Sequence, residues 1–185
     1  MEDLKALRRR MISKRAALAR EEQERLSRQI CAQIEALDCY KKAETVMIYS
    51  AVRGEADLRY LGGSGKRLVY PLCAAEGKML ALWPKDEAAF RQGAYSIPEP
   101  DPLRSREIAP EELDLVICPC TAFDEQGRRL GMGGGYYDRF LPGCTRAVIL
   151  AAAYEFQKVA ELDAQPWDVS MDMVVTETEV YRRGK

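Results

Sequence analysis

Histidine is missing from all 185 residues. Its absence excludes Ser-His-Asp and Cys-His nucleophile systems and His-based zinc centres, so any chemistry falls to carboxylates, cations, backbone amides, hydroxyls or a bound metal. Long apolar runs are missing too. The longest, Val46–Val52, Leu115–Cys118 and Ala147–Ala153, fall far short of the roughly 20 residues a spanning helix needs, so no membrane partner is expected. The acidic opening Met1-Glu2-Asp3 has no apolar stretch behind it, which predicts no signal peptide and a cytoplasmic location. Charge of one sign is not in excess: 28 Lys and Arg balance 29 Asp and Glu, leaving no global field for nucleic acid. The six cysteines, at 31, 39, 73, 118, 120 and 144, match neither C-x-x-C nor a zinc set and read as reduced thiols acting as small hydrophobes.

What is present describes an ordinary globular chain, 47% apolar and 31% charged, expected to form one domain over 1–185. Leu4, Leu7, Met11 and Leu18 recur at helical spacing, predicting a helix over 4–19. A second helix is expected over 21–37, with Glu21, Glu22 and Glu24 in its first turn. Thr45–Ala51 and Asp114–Pro119 are continuous apolar segments typical of strands buried on both faces. Further strands are expected at 67–71, 79–83, 146–153 and 173–176, the last of the chain. Pro98-Glu-Pro-Asp-Pro102 is expected to be irregular. Strands alternating with helices and loops predict an α/β fold with a mainly parallel sheet flanked by helices, Rossmann-like, with N-terminal helices in front of it.

The sharpest local feature is Arg129-Leu130-Gly131-Met132-Gly133-Gly134-Gly135-Tyr136-Tyr137-Asp138. Successive glycines let backbone N–H groups converge on an anion, and a following helix N-terminus would add partial positive charge. Arg129 is suited to neutralise phosphate oxygens and Asp138 to hold the Mg²⁺ that accompanies a nucleoside triphosphate. The spacing is neither Walker A nor the dinucleotide fingerprint. Leu4 to Arg20 holds seven Lys and Arg and no acid. At about 100° per residue, Arg8 and Arg15 flank the apolar stripe, which aims them at a cleft along with Lys5, while Arg9 and Arg10 point to solvent, as Arg20 does. Glu55 follows the first strand, at the end where open α/β sheets bind ligands, and is placed to accept hydrogen bonds from an amino-bearing ligand. Trp83, Tyr95 and Tyr154 are candidates for the wall of a flat ligand's pocket. Asp168 or Asp172, before the last strand, is a candidate to complete a metal site with Asp138.

Together these residues resemble the 5-formyltetrahydrofolate cyclo-ligase (5,10-methenyltetrahydrofolate synthetase) family. The likeness runs from Lys5-Ala-Leu-Arg8 through Glu55, Ile97-Pro-Glu-Pro100, Leu113–Pro119 and the Arg129–Asp138 block to Trp167-Asp168, Asp172 and Val175-Thr-Glu177. It implies a fold of the NagB/RpiA/CoA-transferase-like kind and the reactants ATP, Mg²⁺ and 5-formyltetrahydrofolate, with or without a polyglutamate tail. By that resemblance Lys5, Arg8 and residues 129–137 bind ATP, Arg129 is catalytic, and Asp138 and Asp172 hold Mg²⁺. Ser50, Glu55, Tyr95, Gly135 and Tyr136 then contact the folate. A monomer or weak homodimer is implied. The alternatives are a non-catalytic nucleotide- or folate-binding relative and a sugar-phosphate or acyl-CoA enzyme on a similar sheet.

Overall fold

Apolar residues alternate in direction along the central strands, and that alternation builds two cores. The computed structural model describes residues 3–62, 65–93, 98–163 and 165–184. Within β7 (Leu115–Pro119), Leu115 and Ile117 face one core while Val116 and Cys118 face the other, the period of two that a pleated strand imposes. Every one of these four side chains is buried. A strand covered on both faces needs a continuous apolar run, which is what the sequence supplies.

An eight-stranded sheet runs in the order β12-β11-β10-β7-β1-β2-β3-β6. Its members are β1 (Thr45–Met47), β2 (Arg67–Cys73), β3 (Met79–Pro84), β6 (Ser105–Ile108), β7, β10 (Val148–Ala152), β11 (Met173–Val175) and β12 (Val180–Arg182). The five central strands, β11 to β2, pair in parallel. The flanks β12, β3 and β6 pair antiparallel. The mainly parallel sheet is therefore as expected, with two corrections. The segment expected to be irregular contributes β5 (Pro98–Pro100), paired with β4 (Phe90–Gln92) in a separate two-stranded ribbon, a position where proline's missing N–H is tolerated. Strand 173–175 is not the last, because β12 follows it.

α1 (Leu4–Ala16) starts at Asp3, whose carboxylate accepts the Ala6 N–H at 3.3 Å. Leu7 and Met11 sink into a small core with Ala122, Leu130 and Leu162, so α1 lies beside β8 (Ala122–Phe123) and β9 (Arg129–Leu130). The helix ends at Ala16, and Leu18 lies in the turn beyond it. α2 (Arg20–Ala36) packs Leu26, Ile30 and Ile34 on one sheet face, and the short α3 (Asp38–Lys42) leads into β1. Among the described residues no helix is long and apolar enough to cross a membrane. All six cysteines are free.

Parallel pairing brings the carboxyl ends of β1, β7 and β10 to one edge, the edge where such sheets hold ligands. The opposite edge is fastened by Asp114, which accepts the N–H groups of Glu44 and Thr45 at 3.0 and 2.9 Å and pairs with Arg146. Burial pushes the Asp114 carboxyl up, but those hydrogen bonds and the Arg146 guanidinium together outweigh it and hold the carboxyl below the usual carboxylate range. A depressed folded-state value means the stabilisation is complete above the unfolded value of about 4 and drains away as pH falls through the folded one. Denaturant melts of Asp114→Asn between pH 7 and pH 3 should therefore show lower stability than the parent at pH 7 and a shallower loss on acidification. An identical acid limb would remove Asp114 from this role.

Candidate functional site

At the carboxyl edge a cavity of about 570 Å³ opens between α1, the glycine-rich loop, the 162–170 segment and the loop after β1. The expected phosphate loop forms its wall: every residue from Arg129 to Asp138 lines it. Among the described residues the backbone N–H groups of Met132 to Gly135 have no hydrogen-bond partner, so a run of donors is left for a ligand. Gly133 and Gly135 sit at φ +95° and +64°, a region costly for residues with a side chain. Gly135 caps α4 (Tyr136–Phe140). That helix has only five residues, so the donors themselves, more than a helix dipole, make the loop attractive to anions.

Three arginines shape the loop. Arg8 donates from Nε to the Gly131 carbonyl at 2.8 Å. Arg139 donates to the carbonyls of Gly134 at 2.7 Å and Gly77 at 3.0 Å. Arg129, its side chain 4% exposed, pairs with Asp138 at 2.8 Å and lies over the Tyr137 ring. Val169 N–H approaches the same Asp138 oxygen at 3.5 Å. Arg128, adjacent in sequence, is taken up by the wholly buried Asp124 at 2.6 Å. The Tyr137 hydroxyl is buried without a partner, and burial pushes its pKa well up, so it remains a donor.

Deeper in the cavity stands Glu55, buried and lining it. Its Oε2 accepts the Val52 N–H at 3.1 Å, and its Oε1 lies 3.6 Å from Nη1 of a wholly buried Arg15. Burial raises the Glu55 carboxyl, and the Arg15 charge opposes that rise. Cys120 also lines the cavity. Burial pushes its thiol and that of Cys118 up to about 12, so neither is a nucleophile near neutrality.

Other expected ligands lie elsewhere. Lys5 is exposed and off the cavity, which takes Leu4 and Arg8 from the same helix. Ser50 is outside the wall and donates to the Pro98 carbonyl at 3.1 Å. Asp172 is not on the cavity wall; its carboxylate accepts the Ile149 N–H at 2.9 Å and faces Arg183 at 3.7 Å. Asp168 does line the cavity. Tyr95 lies outside the described residues. Trp83 packs on a sheet core and Tyr154 is buried in the other. Arg15, expected to aim into a cleft, lies against Glu55. Arg139 and the exposed Trp167, both on the cavity wall, were not anticipated as site residues.

Residues 1–177 match the 5-formyltetrahydrofolate cyclo-ligase family. A protein of that name from Escherichia coli (strain K12) is 32% identical over 177 residues, 91% of this chain and 97% of that protein. The solution structure of Aquifex aeolicus 5,10-methenyltetrahydrofolate synthetase superposes with a TM-score of 0.86 at 32% identity, covering 98% of this chain and 93% of the other. The Mycoplasma pneumoniae 5,10-methenyltetrahydrofolate synthetase gives 0.78 at 26% identity, covering 95% and 99%. The chain belongs to the 5-formyltetrahydrofolate cyclo-ligase family, a family of enzymes.

The loop geometry makes its own prediction. Gly135→Ala forces a side chain into the left-handed region and brings its Cβ within 2.8 Å of the Arg139 guanidinium. Urea unfolding should show a loss of about 1–2 kcal/mol, and no loss would contradict this backbone conformation.

Proposed function

We propose that this enzyme closes 5-formyltetrahydrofolate to 5,10-methenyltetrahydrofolate, with Mg²⁺ and with conversion of ATP to ADP and phosphate. One observation carries the reading: a single cavity joins a loop of unpaired backbone donors, with Arg8 and Arg129 beside it, to the buried carboxylate of Glu55. The first part suits a triphosphate and the second an amino-bearing heterocycle. Family membership supports 5-formyltetrahydrofolate as the heterocycle, and with it ATP as the triphosphate.

The donor set fits Mg²⁺. Among the described residues no group of three or more carboxylates and thiols forms a ready-made cage. Mg²⁺ is commonly held by one or two carboxylates together with waters and the phosphates it accompanies. Asp138 would be the first such carboxylate. The second would be Asp172, with Oδ2 on the Ile149 N–H, or Asp168, which lines the cavity with Oδ2 on the Gln165 N–H. When bound, the ion would neutralise charge on the β- and γ-phosphates.

The N5-formyl group is an amide and a poor electrophile. Its oxygen attacks the γ-phosphorus, forming a P–O bond as the β–γ bridge breaks and ADP leaves. The carbon, now bearing a phosphate leaving group, is attacked by N10. N10 loses its proton, the C–O bond breaks, and inorganic phosphate departs with the formyl oxygen as the ring closes. Neither step needs an enzyme nucleophile. The chain supplies Arg8, Arg129 and the loop amides to hold and neutralise the phosphates, and Glu55 to orient the folate. The walls of Leu4, Met132 and Trp167 exclude water from the activated carbon.

Incubation with ATP, Mg²⁺ and 5-formyltetrahydrofolate should produce the near-UV absorbance of the methenyl product. Arg129→Met, checked for folding by circular dichroism, should lower kcat/KM by about 10²–10³-fold. Binding of both ligands without product would leave instead a nucleotide- and folate-binding protein.

A further inference from the structure

A fully buried guanidinium is costly to keep, and Arg15 is kept with two of its three nitrogens unpaired: among the described residues Nε and Nη2 have no hydrogen-bond partner. Such a group calls for a reason. Its one hydrogen bond, from Nη1 to the Cys120 carbonyl at 3.1 Å, is not that reason, because Gln157 Nε2 already donates to the same oxygen at 2.7 Å. What remains is the 3.6 Å approach of Nη1 to Glu55 Oε1, with both side chains sequestered from solvent. The backbone around the pair is locked. Gly54, at φ +73°, lies so close to the Arg15 carbonyl that a Cβ there would stand 3.1 Å from its oxygen. Tyr154 donates to the Glu55 carbonyl at 3.3 Å, and Gln23 to the Arg15 carbonyl at 3.1 Å.

We infer that Arg15 is a positioning residue, whose buried charge keeps the Glu55 carboxylate ionised and turned into the cavity, from the same helix that lays Arg8 on the glycine-rich loop. The ionised form is the one that accepts two hydrogen bonds from a ligand's N–H groups, so this inference rests on the folate-binding role proposed for Glu55. The other titratable and charged groups facing Glu55 are Arg53 from its own loop, Tyr49 beyond β1, Cys120 after β7 and Tyr137 from α4. Burial holds the tyrosines and the thiol neutral, so the cations are Arg15 and Arg53, and Arg15 is the more strongly coupled of the two. Burial pushes the carboxyl up and Arg15 pulls it back. Removing the guanidinium therefore moves the carboxyl's midpoint to higher pH.

The test is a carboxyl titration by ¹³C NMR on protein labelled at glutamate, with the Glu55 signal assigned by its loss in Glu55→Gln. No substrate is needed, so the result is independent of whether the protein turns over 5-formyltetrahydrofolate. Arg15→Met should raise the Glu55 midpoint by about one pH unit or more. Where turnover is seen, the same change should raise KM for the folate by about tenfold and leave KM for ATP within about twofold. An unmoved midpoint in folded Arg15→Met overturns the inference. Should that variant not fold, the parent protein decides: a Glu55 carboxylate ionised at pH 7 supports the assignment, and one still protonated at pH 7 overturns it.

Discussion

The ion pair between Arg129 and Asp138 spans the glycine-rich loop and fixes its two ends. It joins the start of β9 to the first turn of α4 at 2.8 Å, with the arginine almost wholly out of solvent. A guanidinium removed from water must be paired, so the loop between the two residues is constrained to close back on itself. Arg8 and Arg139 then hold the carbonyls of Gly131 and Gly134. With the carbonyls occupied, the N–H groups of the loop are left as donors along the cavity. A cation suited to phosphate and a carboxylate suited to Mg²⁺ thus sit in contact before any ligand arrives.

This arrangement explains how a chain without histidine can catalyse a ligation. Phosphoryl transfer asks mainly for alignment and for charge to be met where it builds. In the proposed reaction the nucleophiles, a formyl oxygen and then N10, both belong to the substrate. Of the two thiols on the cavity wall, Cys120 is buried and held neutral, and Cys73, though exposed, has its pKa raised by partial burial, which keeps them from competing. α1 contributes at both ends of the cavity, Arg8 at the loop and Arg15 behind Glu55, so one rigid helix sets the distance between the two binding regions.

Much of this was legible in the residues because the signals were local. The runs 46–49, 115–119 and 147–153 are apolar throughout and became the centres of parallel strands. Arg129–Asp138 combined glycines, a cation and a carboxylate within ten residues and became the cavity wall. The ribbon at Pro98–Pro100 was hidden because proline reads as a breaker, yet an edge strand with no ladder donor required tolerates it. Partnerships between distant residues were not legible. Arg15 lies on the border of an apolar stripe, which says that it is held, but nothing in the spacing says that Glu55, 40 positions on, is what holds it. Nor does the spacing say that one oxygen of Asp172, a candidate metal ligand with Asp138, takes the Ile149 amide. Lys5 and Leu4 exchanged expectations for the same reason: one helical step decides which of them meets the cavity.

In the proposed reaction the enzyme moves phosphate onto the substrate's own oxygen and does no covalent chemistry itself. 5-Formyltetrahydrofolate carrying ¹⁸O in the formyl group tests it directly, with released phosphate read by the ³¹P NMR isotope shift. One ¹⁸O atom in each phosphate formed is the predicted result. Unlabelled phosphate, with the ¹⁸O recovered in water, would contradict the account.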